Sequence, residues 1–263
     1  CHSGLLNLSR ENTKNIAFMR LFPLILVDST NTYAHQLISE GLSEDALIYC
    51  EEQTAGRGQR GNTWVSKAGD GIYCSFVIFH KNIFVRDQFV FNMLIAVAVS
   101  SYLESKGIEN VKIKWPNDIL VNNKKIEGLL IENSLKGDKI SSSIVGIGLN
   151  LNQEWKDENF ETPSTSLKMI SGENYNYEKE VLELAEHIEK CLDYFKAGQY
   201  ELISKMYHQK LYQNQDDVEM IIDNNAVNAR LEGINSDGSA SVFYEGESRK
   251  VYHPQARIMV NRS

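Results

Sequence analysis

The stretch with the most chemical potential is Gln53-Thr54-Ala55-Gly56-Arg57-Gly58-Gln59-Arg60-Gly61-Asn62-Thr63-Trp64. Closely spaced glycines let backbone approach a ligand and adopt positive φ. Successive N–H groups in such a loop can form a concavity for an anion. Arg57 and Arg60 add charge-assisted donors suited to carboxylate or phosphate oxygens, and Trp64 offers a flat face to a ring. By composition alone a solvated surface loop is slightly the better reading. The stretch lacks the GxxxxGK(S/T) of a P-loop and does not follow the dinucleotide-binding GxGxxG pattern.

A second run is Val111-Lys112-Ile113-Lys114-Trp115-Pro116-Asn117-Asp118. On a strand Lys112 and Lys114 share a face, and Pro116 ends the ladder, leaving Asn117 and Asp118 at a strand end or turn. A cation, an amide and a carboxylate thus fall within a few residues. The same charges would also guard an exposed strand edge, and Trp115 taken singly reads as core. In Lys124-Lys125-Ile126-Glu127-Gly128-Leu129-Leu130-Ile131-Glu132, Lys125 opens an apolar strand. Gly128 implies a bulge or a close approach there, while Lys124 reads as a polar turn. In Val145-Gly146-Ile147-Gly148-Leu149-Asn150, two glycines on one face leave a slot for a flat bicyclic ligand or for a closely packed helix.

Strand-like and helical runs alternate around these residues. Strands are expected over Phe22–Val27, Ala46–Glu52, Ile72–Phe79, Val111–Trp115, Ile119–Val121, Ile126–Glu132 and Ile140–Leu149. Ser29-Thr30-Asn31 can cap a helix running to about Glu40, and Asp87 one running from Gln88 to Lys106. In the latter, Phe91, Leu94, Ile95 and Val99 mark the core stripe. Glu178–Ala197 and Tyr200–Leu211 read as further helices. From Asp217 short strands alternate with turns at Asn224-Asn225, Asp237-Gly238 and Glu245-Gly246. The expected class is α+β, a mostly antiparallel sheet with helices packed on one face, followed by a small β-barrel. The expected divisions are an N-terminal extension over 1–15, a catalytic domain over 16–213 and the barrel over 214–263.

The 263 residues carry a net charge of −8, which argues against nucleic acid as the main partner. The four cysteines show no CxxC spacing and no clustering with histidines. That disfavours a zinc site or a disulfide framework and suits a reducing cytoplasm. No window is expected to be apolar over the roughly 18 to 20 residues a bilayer needs, and the polar start holds no signal-peptide core.

The motifs, taken in order, resemble biotin protein ligases. That family's loop reads roughly G-R-G-R-x-G-x-x-W, matched here by Gly56, Arg57, Gly58, Gly61 and Trp64. Gln59 departs from the second arginine that many members carry. It keeps hydrogen-bonding capacity but loses a positive charge, and Arg60 next door is the available substitute. The K-W-P-N-D, K-x-x-G-x-L-x-E and G-x-G-x-N runs and the early S-T-N element follow the family's order, so the resemblance covers Asp28 to Asn152.

The resemblance implies a class II aminoacyl-tRNA synthetase-like catalytic fold with a C-terminal SH3-like barrel. It also implies that biotin is activated with ATP to biotinyl-5′-AMP, releasing pyrophosphate, and is then transferred to a lysine of a biotin carboxyl carrier protein of a biotin-dependent carboxylase. Ser29, Thr30 and Gln53 would bond the ureido ring. Asn31, Gly56, Arg57, Gly58, Gln59 and Lys125 would complete the biotin seat, and Gly128, Gly146 and Gly148 would leave it room. ATP would lie against Arg57, Arg60, Trp64, Lys114, Asn117, Lys125 and Asn150, with Mg²⁺ near Asn117 and Asp118. The catalytic set would be Lys125, Arg57, Asp118 and Lys114: Lys125 bridges carboxylate and α-phosphate, and Asp118 orients or deprotonates the carrier lysine. A lipoate or octanoate ligase shares this fold but lacks the G-R-G loop with its Trp and the W-P-N-D run. A non-catalytic biotin-binding regulator is the other alternative. For a DNA-binding one, the about 20 residues before the first strand are too few for a helix-turn-helix domain. The family includes monomers and homodimers.

Overall fold

The computed structural model describes residues 19–61, 63–65, 67–155 and 162–260, with Arg60 described by its backbone only. The expected N-terminal extension, 1–15, lies outside them. In chain order the elements are β1 (Arg20–Val27), α1 (Thr30–Ser39), β2 (Ala46–Gln53), β3 (Gly71–Phe84), α2 (Gln88–Ser105), β4 (Val111–Lys114), β5 (Asp118–Val121), β6 (Lys124–Lys136) and β7 (Lys139–Asn150). These are followed by α3 (Leu167–Ser171), α4 (Tyr177–Lys196), α5 (Tyr200–Lys210), β8 (Asp217–Ile222), β9 (Asn225–Ile234), β10 (Ala240–Tyr244), β11 (Glu247–Val251) and β12 (Ala256–Ile258). The chain divides into two compact units. The first comprises residues up to Val85, Glu127–Glu154 and Ser166–Glu186, and the second Arg86–Ile126, Trp155–Thr165 and His187–Ser263.

In the first unit β1 and β2 pair in parallel, as their α1 crossover requires. The remaining pairs, β2–β3, β3–β7 and β7–β6, are antiparallel. The antiparallel class holds with this one parallel exception. Ala46–Cys50 of β2 and Gly71–Ile78 of β3 are buried residue after residue, so these strands read as unbroken apolar runs rather than alternating ones. Ala34 of α1 packs on Ala46, Ile48, Val77 and Ile144, with Phe22, Leu24 and Leu37 around them. Helix α1 is thereby fixed across β2, β3 and β7. Cys50, Cys74 and Cys191 are free and buried. Burial pushes the Cys50 thiol up to about 12, so it is an inert core group.

In the second unit α2 lies over the β4–β5 hairpin and against α5. Phe89 meets Tyr207 edge-on at 6.4 Å, and Phe91 meets Phe195 at 5.1 Å. The expected one-sided stripe understates this helix. Val90, Met93 and Val97 are as buried as Phe91, Leu94, Ile95 and Val99. The expectation that no stretch is long and apolar enough to cross a membrane is also corrected. Val85–Ser105 passes that test by length and composition, and 72% of its most apolar window is buried in protein, which makes it a core helix. Asp87 stands at its N-cap position without a side-chain cap bond.

The C-terminal strands form a five-stranded sheet in the order β11-β10-β9-β8-β12. Its hairpins turn at Asp223-Asn224 (φ 48° and 67°) and Glu245-Gly246 (φ 53° and 87°), pairs that supply the positive φ a tight hairpin needs. Val218, Met220, Ala229, Leu231, Val242 and Ile258 form its apolar side. The sheet shares its compact unit with α2, β4, β5 and α5, and the expected 213/214 division falls inside that unit. Trp115 shows how the parts are tied. Its indole N–H donates to the Gly238 carbonyl at 2.9 Å, and its ring stands edge-on to His253 at 5.8 Å.

Candidate functional site

The first unit builds a polar ledge at the N-terminus of α1. Residues Ser75, Gly146 and Leu130 lie side by side in register across β3, β7 and β6. Asn31 lies over this row: a Cβ on Gly146 would stand 2.3 Å from Asn31 Oδ1. The glycine therefore makes room for a residue of helix α1, the packed-helix alternative of the two the sequence offered. Asn31 Oδ1 accepts from Ser75 Oγ at 2.6 Å, and its Nδ2 donates to Glu132 Oε2 at 2.7 Å and to the Leu130 carbonyl at 3.4 Å. Ser75 Oγ is also 2.7 Å from Thr30 Oγ1. The Thr30 N–H donates to Gln53 Oε1 at 2.9 Å, and Thr30 Oγ1 lies 3.2 Å from the same oxygen. Gln53, at the end of β2, thus takes one of the N–H groups left over at the start of α1. Ser29 occupies the N-cap position but makes no side-chain cap bond, which corrects the expected capping role.

One row along, Gly148 faces Tyr73 and Gly128 in register. The Trp64 indole covers it, and a Cβ there would stand 2.4 Å from Trp64 Cε2. Gly128 is in even register with Gly148, and the nearest irregularity of β6 falls at Ser134/Leu135. The close approach expected at Gly128 is this backbone pairing of two glycines, without the alternative bulge. The glycine and arginine loop folds back on itself through an antiparallel bridge between Arg57 and Thr63 and a bond from the Trp64 N–H to the Gly56 carbonyl at 2.9 Å. Gly56 is buried, while Gly58 and Gln59 are half-buried. The Arg57 guanidinium reaches Glu132, with Nη2 2.9 Å from Oε1 and Nη1 3.5 Å from Oε2. His35 Nε2 lies 3.4 Å from Oε2. Burial opposes ionisation of Glu132, but the Asn31 hydrogen bond and Arg57 outweigh it and hold its carboxyl below the usual range. Asn150 is buried at the end of β7, opposite Gly71.

The second unit assembles a cation–carboxylate–cation group. Lys114 and Asp118 are cross-strand partners in the β4–β5 hairpin, and Asn117 is buried in the turn between them. Asp118 Oδ1 lies 2.6 Å from Lys125 Nζ, and Oδ2 lies 3.4 Å from Lys114 Nζ. The backbone of Lys125 is fixed from both sides. Its N–H donates to the Pro163 carbonyl at 2.7 Å, and its carbonyl accepts from the Thr165 N–H at 2.9 Å. Lys112 is exposed and takes no part. Burial penalises the Asp118 charge, yet Lys125 and then Lys114 outweigh that penalty and hold its carboxyl below the usual range. Both carboxylate oxygens face ammonium groups, so Asn117 and Asp118 do not fit a direct Mg²⁺ site, which needs several hard oxygen ligands.

The lowered Asp118 value has a measurable consequence. A group whose folded value lies below its unfolded one stabilises the fold above the unfolded value, and this is lost as pH falls through the folded one. Asp118→Asn is expected to cost about 1.5–3 kcal/mol at pH 7, the range for hydrogen bonds to charged groups. The gap to the parent should close as pH drops below about 3.9. Urea melts of both proteins at pH 7, at pH 5 and at the lowest pH where both still fold measure it, and a gap that does not narrow between pH 5 and that lowest pH would contradict the assignment.

Of the residues singled out in the sequence, Thr30, Asn31, Gln53, Arg57 and Gly146 meet in the first group, and Lys114, Asp118 and Lys125 in the second. The Arg60 side chain lies outside the described residues. Ser75, Glu132 and His35 were given no role by sequence reasoning. Glu132 closes the K-x-x-G-x-L-x-E run, which was its one signal. Ser75 had none.

Residues 23–150 match the Biotin/lipoate A/B protein ligase family. Through that segment, just under half of its 263 residues, the chain is similar to this family. Among similar proteins is the "Bifunctional ligase/repressor BirA" of Bacillus spizizenii, 37% identical over 150 residues, which cover 56% of this chain and 46% of the relative. The "Biotin--[acetyl-CoA-carboxylase] ligase" of Paracoccus denitrificans is 37% identical over 128 residues, covering 49% of this chain and 53% of the relative. These matches thus span about half the length of the curated relatives. Among solved structures, a biotin protein ligase from Aquifex aeolicus in complex with biotin and ATP superposes with a TM-score of 0.76 at 26% identity. It covers 93% of this chain and 100% of that one. The likeness in fold therefore extends beyond the matched segment.

Proposed function

We propose that this chain is a biotin protein ligase. The observation that carries the proposal is the ledge of Thr30, Gln53, Asn31 and Ser75 set across Gly146 beside the Arg57 loop. It is a hydrogen-bonding seat for a neutral ring that carries both N–H and C=O groups. Hydrogen-bonding seats discriminate strongly, because a wrong ligand leaves buried polar groups unpaired. Ser29, Gly56, Gly58 and Gln59 complete the biotin seat in this reading. Trp64, Asn150, Asn117 and Arg60 are assigned to ATP.

The first step brings two anions together. A biotin carboxylate oxygen attacks the α-phosphorus of ATP, the bond to the bridging oxygen breaks, and pyrophosphate leaves. Arg57, Lys114 and Lys125 are the cations proposed to offset the repulsion and the developing charge. In the second step a carrier lysine nitrogen attacks the acyl carbon, the C–O bond to AMP breaks, and the amine loses a proton. Asp118 is ionised at neutral pH, and an ordinary lysine holds its proton to about pH 10.4. Asp118 is therefore a weak base for that proton, and we assign it the task of holding Lys114 and Lys125. The proposed carrier is a biotin carboxyl carrier domain and the proposed compartment the cytoplasm, which suits three buried free thiols.

The test is incubation with ATP, Mg²⁺, a carrier domain and either biotin or lipoate, followed by mass spectrometry. A biotin-sized gain on one carrier lysine is the expected result. A gain with lipoate alone would transfer the chain to the other branch of its family.

A further inference from the structure

The ledge has a direction that its atoms impose. Asn31 Nδ2 faces two groups that only accept, the Glu132 carboxylate at 2.7 Å and the Leu130 carbonyl at 3.4 Å. Its amide therefore cannot be turned round, and Oδ1 must face Ser75. Oδ1 accepts only, so the single hydrogen of Ser75 Oγ is committed to it, across 2.6 Å. Ser75 Oγ then meets Thr30 Oγ1, 2.7 Å away, as an acceptor. The other protein atom near the Thr30 hydroxyl, Gln53 Oε1 at 3.2 Å, accepts from the Thr30 N–H and is an acceptor too. Either way the Thr30 hydrogen points at the protein. Any further group that approaches Thr30 Oγ1 meets a lone pair.

We propose that Glu132 and Ser75 are positioning residues of the biotin seat: through Asn31 they fix Thr30 as a pure acceptor, which selects a ligand N–H at that point. The inference rests on the biotin reading above, and it assigns work to residues that need not touch the ligand. It also gives Asn31 a structural task in place of the expected ligand contact. Glu132 starts the relay because its charge is what makes it accept only. The Asn31 bond and the adjacent Arg57 keep it charged.

The experiment compares biotin with its two ring analogues in which one ureido N–H is replaced by oxygen, by calorimetric titration of the parent, Ser75→Ala and Glu132→Gln. The parent should bind biotin and reject the analogue that places oxygen at Thr30. In Ser75→Ala the Asn31 acceptor loses its donor and the Thr30 hydrogen keeps only the longer contact to Gln53 Oε1 at 3.2 Å, which loosens its hold. In Glu132→Gln only the longer Leu130 carbonyl contact at 3.4 Å still opposes inversion of the Asn31 amide, so Ser75 and Thr30 can reverse. In both variants the biotin-to-analogue ratio is expected to fall by about tenfold or more, the worth of one mispaired buried hydrogen bond. Glu132 also holds Arg57, whereas Ser75 does not, so an effect in Glu132→Gln alone would mean an Arg57 effect and would overturn the relay. Unchanged ratios in both variants would overturn it as well. Thermal melts accompany each titration, and Ser75→Cys replaces an unfolded Ser75→Ala. Failure of the parent to bind biotin would instead remove the functional reading, and the relay with it. The two failures are therefore read from different arms.

Discussion

Lys125→Ala is expected to slow biotinyl-adenylate formation by about 10²–10³-fold, the usual cost of removing one preorganised charge-stabilising group, while leaving the fold intact. The ammonium is held at 2.6 Å from Asp118 Oδ1, on backbone that bonds to Pro163 and Thr165 on either side. Those backbone bonds survive the substitution, so the loss is one of charge at a fixed place. Asp118 keeps Lys114 at 3.4 Å and is not stranded as a lone buried charge. Lys125→Arg should restore the charge but little of the rate, because a planar fork does not reproduce a point charge. Rapid-quench measurement of adenylate in a single turnover, with melting curves alongside, is the appropriate assay. A rate within about threefold of the parent would fall outside the range for a charge-stabilising group and remove Lys125 from the chemistry.

The second large effect is expected from adding one methyl group. In Gly146→Ala the new Cβ would sit 2.3 Å from Asn31 Oδ1 and 3.0 Å from its Cγ. Real side chains do not approach so closely. Asn31 cannot swing aside cheaply, because Ser75 holds one end of its amide and Glu132 the other. The substitution therefore breaks the ledge or shifts β7. We expect a stability loss of about 1–3 kcal/mol from overpacking and biotin binding weakened by about 10²-fold, as for a mispaired hydrogen-bonding seat. Titration calorimetry and a urea melt read the two separately. Biotin affinity within a few-fold of the parent would show that Asn31 has room to move and that the ledge is softer than drawn.

These residues show where sequence reasoning reached and where it stopped. The chain order of strands and helices and the turns at Asp237-Gly238 and Glu245-Gly246 followed from periodicity and turn residues, which are local, while the turn expected at Asn224-Asn225 falls one residue earlier, at Asp223-Asn224. The sequence put Lys114 and Asp118 within a few residues of each other, and the hairpin that makes them cross-strand partners is a finding of the structure. Ser75 was invisible because a single serine within an apolar strand carries no local signal. Its partners come from α1, 44 and 45 residues away. Gly146 was noticed, with a ligand and a packed helix left as alternatives, and it is Asn31 of α1 that comes close: a missing side chain announces an approach without saying of what. At Gly128 a bulge and a close approach were both open, and the second glycine directly across decides for close, even pairing. The full burial of α2 escaped for a related reason. Periodicity marks which positions are apolar, and does not report a second layer covering the opposite side.

The Trp115 strut bears on how the molecule can be shortened. Trp115 sits between Lys114 and the turn that carries Asn117, and its indole ends on the Gly238 carbonyl and the His253 ring. Deleting the last strands would leave a large aromatic side chain wet and its N–H without an acceptor, one residue from Lys114. A shortened chain should therefore retain the tail through His253, or rebuild an apolar cover over that indole before the tail is cut.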